Sequence, residues 1–161
     1  MSRLFNDLVS EGLIENWAGL LDWLFDDERF SSQRGWTSGY VGAFTKKVKR
    51  ISKIGKGNYS YDSIKNLSFP HTKSNSIKII HAKGDGEARD LVRHIRNGIA
   101  HGKTKIAKPN SILHIEILDY NKQNEQTAYI YVPISCIFDI YNIYLEVEKS
   151  KNNSIRKRGN G

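Results

Sequence analysis

Four stretches of this sequence carry apolar residues at the 3.6-residue interval of an α-helix, and that periodicity restricts the chain to a fold built chiefly from amphipathic helices packed on one another. Leu4, Leu8, Leu13, Trp17, Leu20, Leu21 and Leu24 or Phe25 predict a long helix over residues 3–26, with Gly12 as a point of interruption. Val41, Phe44, Val48 and Ile51 predict a second over residues 37–54. Ala88, Leu91, Val92, Ile95 and Ile99 fall within about 100° on a helical wheel and predict a third, capped near Asp85 or Gly86. Ile134, Ile137, Ile140, Ile143, Tyr144 and Val147 predict the last, and YDSIKNL suits a short additional helix.

Two segments break the helical rule. SILHIEILDY and QTAYIYVP are rich in β-branched and aromatic residues, and the polar NKQNE joins them, so they read as a hairpin that Pro133 ends. SIKIIHA fits either a short strand or the lead into the third long helix. The expected fold is therefore mainly α, a bundle of four to five helices with a small β-hairpin inserted before the last helix. At 161 residues the chain is of single-domain length. The domain is expected to span residues 1–150. The basic, Asn- and Gly-rich end, residues 151–161, is expected to be an unstructured tail.

Composition excludes several classes. The lone Cys136 allows no disulfide within the chain and no cysteine-rich zinc site, and its apolar setting suits a buried thiol. No run approaches the roughly 18 apolar residues of a membrane span, and the start lacks the pattern of a signal peptide, so a cytoplasmic protein is expected. The formal charge is +8, which favours an anionic partner. Its distribution is uneven. Asp7, Glu11, Glu15 and Asp22 make the start acidic, whereas residues 30–61 hold no acid and include Lys46, Lys47, Lys49 and Arg50.

Chemistry-bearing residues concentrate in DLVRHIRNGIAHGKTKI, residues 90–106. With the core stripe centred on Ile95, the residues Arg93, His94, Asn97 and His101 fall on the opposite side and Arg96 on the flank. Arg96 and His101, five residues apart, point about 140° away from each other on one ideal helix. They can cooperate if the helix loosens at Gly98, if the arginine wraps around, or if a second copy brings its own pair across a two-fold axis. Gly98 and Ala100, small residues on the side expected to be exposed, favour the third route.

The string RNGIAHG resembles the signature of the HEPN superfamily, an Arg, a polar residue and a His in the spacing R-x4-6-H. Arg96, Asn97 and His101 match its shortest form. The hairpin and closing helix that follow are similar to the order of elements in the pEK499 p136-type HEPN subgroup. The resemblance implies an α-helical domain that pairs into a homodimer and cuts RNA at the interface without a metal or other cofactor. It also implies a toxin–antitoxin or defence setting, with an antitoxin or regulatory protein as a further partner.

The residues permit that chemistry. His101 suits proton transfer near neutral pH. Arg96 can grip two phosphoryl oxygens at once. Asn97 can orient the histidine or donate to the phosphate. Arg93, His94 and Lys103 are candidates for holding the flanking RNA backbone. No carboxylate lies inside the motif, so a metal site of carboxylate type is not expected. The alternative is a dimeric HEPN-like module that binds RNA, a nucleotide or a protein without cutting.

Overall fold

The computed structural model describes residues 3–26, 38–52, 61–65, 75–80 and 87–159. The caps proposed near Asp85 and Gly86 lie outside these residues. The periodicity at the start resolves into two helices, α1 (Arg3–Ser10) and α2 (Ile14–Asp26), which part at Gly12. Then follow α3 (Ser38–Ser52), the single turn α4 (Tyr61–Ile64), strand β1 (Ser76–Ile79) and helix α5 (Glu87–Ala100). Strand β2 (Thr104–Ala107), β3 (His114–Tyr120), β4 (Gln126–Pro133) and α6 (Ile134–Gly159) complete the chain. The backbone of α6 stays helical through Gly159, into the basic segment expected to be a tail.

The expected mainly α bundle is corrected here. The fold is mixed α/β, because the two strands expected to stand alone are the central pair of a four-stranded antiparallel sheet in the order β1-β4-β3-β2. Ser76 pairs with Tyr131 and Ile79 with Ala128 on one edge, and Thr104 pairs with Ile117 and Ala107 with His114 on the other. Each edge strand has only four residues, too few for alternation to separate it from a loop or a helix end. Short edges also leave little unpaired backbone open to other chains.

One face of the sheet packs on α5. Register places Ile79 and Ile106 from the edge strands beside Ile115, Ile117, Ala128, Ile130 and Val132 from the centre, and all are buried. Ala88, Leu91, Val92 and Ile95 of α5 meet this face, and Phe44 and Val48 of α3 with Ile137, Ile140 and Tyr144 of α6 close the same core. Trp23 of α2 is buried among aromatic rings, 5.3 Å from Tyr141 and 5.0 Å from Tyr144 between centroids. The motif helix is thus held between sheet and helices, with one long side left to solvent. Cys136 is buried, which pushes its thiol up to about 11 and leaves it an inert core residue. Among the described residues, no helix is long and apolar enough to cross a membrane.

Candidate active site

The end of α5 sets where the motif sits. Gly102 has a φ of +65°, a conformation that glycine adopts without a Cβ clash. The Gly102 amide donates to the Ile99 carbonyl at 3.1 Å and the Lys103 amide to the Gly98 carbonyl at 2.8 Å, the paired bonds of a Schellman turn. His101 is therefore the capping residue, its amide still bonded to the Asn97 carbonyl at 3.0 Å and its side chain exposed. The Leu118 amide donates to the Lys103 carbonyl at 2.9 Å, which ties this turn to β3. The exposed Lys103 side chain carries its ammonium 5.8 Å from the centroid of the Tyr120 ring.

Arg96 lies half-buried on the opposite flank, its guanidinium 5.7 Å from the centre of the Phe25 ring at the end of α2. Arg93, between the flanks, bonds the fully buried Asp90 carboxylate at 2.7 Å, so its charge is offset from below. Within one chain Arg96 and His101 do not converge. They border a single exposed strip of helix whose middle is Ala100 and Arg93.

Two residues expected on that exposed side are elsewhere. His94 is buried, its Nδ1 2.7 Å from Asp119 Oδ2 and its Nε2 3.4 Å from the Ile80 carbonyl oxygen. Gly98 is buried against β3 and cannot face a second copy; a Cβ there would collide with the Ile117 side chain and lie 2.7 Å from the Leu118 carbonyl oxygen. The small residue on the open strip is Ala100 alone. Asn97 joins His94 by donating to the same Asp119 oxygen at 3.2 Å.

Asp119 is the residue that the motif did not reveal. Its signal was present: in HIEILDY it takes the inward place in the alternation begun by Ile115 and Ile117, and an acid on an apolar face requires partners. Burial pushes its pKa up, but the His94 hydrogen bond and charge, the Asn97 amide and the Tyr120 amide outweigh this and hold it below the ordinary 3.8. A depressed carboxyl contributes stability that is fully present above its unfolded value and lost as pH falls through the folded one. The melting temperature is thus expected to decline below about pH 4, and Asp119→Asn to flatten that acid-side slope. Equal slopes in both proteins, measured by calorimetry, would contradict this.

A comparison with protein-family models matches residues 28–153 to the family described as HEPN pEK499 p136. Neither the curated proteins nor the solved structures provide a match. The matched span, 126 of 161 residues, takes in α3 to α5, the whole sheet, α6 as far as residue 153 and the Arg96–His101 helix end, and on that ground the chain belongs to the HEPN pEK499 p136 family.

Proposed function

We propose that the protein is an endoribonuclease whose site is completed by a second copy of the chain. The observation that carries this reading is Arg96 half-buried on one flank of α5 and His101 exposed at its cap, positions that an ideal helix sets about 140° apart around the axis. A two-fold axis through the middle of the strip between them sets Arg96 of one copy opposite the partner's His101, and does so twice. Ala100 at the centre lets the two helices come close.

In the cleft so formed, His101 takes the proton of a ribose 2′-hydroxyl while that oxygen attacks the adjacent phosphorus. Arg96 neutralises the charge that builds on the phosphoryl oxygens. The bond from phosphorus to the 5′-oxygen breaks, and the imidazolium returns its proton to that leaving oxygen. The products are a 2′,3′-cyclic phosphate and a 5′-hydroxyl. Lys103 and Arg93 border the two ends of the path and suit the flanking phosphates. His94 and Asn97, whose bonds run inward to Asp119, support the site from beneath.

No step in this scheme uses a metal ion, and the protein's own imidazole performs both proton transfers. Cleavage of labelled single-stranded RNA is expected to survive excess EDTA, to spare DNA of the same sequence, and to leave a cyclic phosphate end. Loss of cleavage in EDTA with recovery on adding a divalent cation would contradict the scheme.

A non-cutting binding module is the second reading. It is favoured by the commitment of His94, which is buried, and of the half-buried Asn97, whose amide is turned inward to Asp119. Equal background cutting by the wild type and by the Arg96→Ala and His101→Ala proteins would leave this reading in place.

A further inference from the structure

Asp119 lies on the apolar face of the sheet, where Ile115 and Ile117 precede it and are fully buried. A carboxylate in that position is tolerated only when its lone pairs are bonded. Both of its oxygens are: Oδ2 receives His94 Nδ1 at 2.7 Å and the Asn97 amide at 3.2 Å, and Oδ1 receives the Tyr120 backbone N–H at 2.9 Å. His94 and Asn97, neighbours one turn apart on α5, thus grip one carboxylate of β3. Next to Asn97, Gly98 rests against Ile117 and the Leu118 carbonyl with no room for a Cβ.

Apolar contact alone is non-directional and leaves a helix free to roll by a fraction of a turn. Three attachments along one strand do not. They fix the roll of α5 about its axis and its position along β3, and these two coordinates decide where the flanking Arg96 and His101 point.

We infer that Asp119 is the positioning residue of the candidate active site, acting through His94 and Asn97 to hold the motif helix in the one roll that presents Arg96 and His101 to a second copy. This rests on the reading of those two residues as the catalytic pair. Asp119 itself touches no substrate. Its carboxylate lies within the fold, and its effect on the reaction is entirely geometric.

Asp119→Asn tests the inference because it keeps the side chain's shape and one acceptor oxygen while removing the charge and the second acceptor. The variant is expected to fold and pair. Its kcat on single-stranded RNA should fall roughly ten- to a hundred-fold, as misplacement of catalytic groups by a fraction of an ångström to an ångström does. Its KM should move by less than about threefold, because the exposed cations are unchanged. The imidazole signals of His101 in a proton–nitrogen NMR spectrum should shift. Asn97→Ala, which removes a single arm of the clamp, should show a smaller change of the same kind and is read in its place if Asp119→Asn does not fold.

A folded, paired variant with the wild-type kcat and unmoved His101 signals would overturn the inference, even if its melting temperature were lower. If the wild type cuts no RNA, the catalytic reading falls and the NMR arm decides alone: shifted His101 signals support the clamp, and unmoved signals overturn it.

Discussion

His101→Ala is expected to lower RNA cleavage by roughly a hundred- to ten-thousand-fold with fold and pairing intact, the range typical of losing a general acid–base group. The structure separates these effects. The side chain is exposed at the helix cap, and among the described residues it makes no side-chain hydrogen bond or ion pair. What remains of a structural role is the interaction of a protonated imidazole with the helix C-terminus, about 0.3–1 kcal/mol at an exposed site. The same samples should therefore share a melting temperature within a few degrees and a sedimentation coefficient with the wild type. If expression of the wild type arrests a bacterial host, that arrest should vanish with the substitution. Cleavage retained by His101→Ala would remove the imidazole from the mechanism.

The second large effect is on stability. At an exposed position Gly98→Ala would stabilise the helix by about 1 kcal/mol. Here the new methyl group meets the Ile117 side chain and the Leu118 carbonyl oxygen, the latter backbone that cannot rotate away. Overpacking of a tight interior costs about 1–3 kcal/mol and takes its upper values where backbone must shift. The balance is a loss of about 2 kcal/mol, or roughly 4–8 °C in melting temperature for a chain of this length. A Gly98→Ala protein as stable as the wild type would mean that α5 does not approach β3 as described. The substitution also separates the two readings of this glycine, since a residue facing a second copy would alter pairing with concentration and leave the isolated chain's stability alone.

The place of Gly98 is set by residues distant from it in the chain. The helix stripes were legible because Leu, Ile and Val repeat over ten or more residues, as in Ala88 to Ile99. The hairpin was legible because seven or eight residues of β-forming type flank a polar turn. The edge strands were legible only in part, SIKIIHA fitting a strand as well as a helix lead and Thr104–Ala107 giving no strand signal, because both acquire their identity from the register against β4 and β3. Gly98 and His94 are expected on the exposed side of α5 and are instead buried; on a wheel centred on Ile95 they lie only about 60° and 100° from the middle of the stripe, near enough for what lies opposite to decide. Asp119, from a distant strand, settles it for His94, and the Leu118 backbone settles it for Gly98. Arg96 and His101 could be singled out because their spacing is written in the chain, whereas the clamp beneath them joins residues 22 and 25 positions apart.

The proposed site is built from two copies of the chain, and subunit exchange between two inactive variants reports on it without interference from either parent. Arg96→Ala and His101→Ala homodimers each lack one half of every site. After subunit exchange, a mixed dimer holds one site with both halves intact and one with neither. With half the dimers mixed and one of two sites restored in each, activity is expected to return to roughly a quarter of the wild-type level. A mixture no more active than its components, or a protein that sediments as a monomer at every concentration where it cuts RNA, would contradict the shared site.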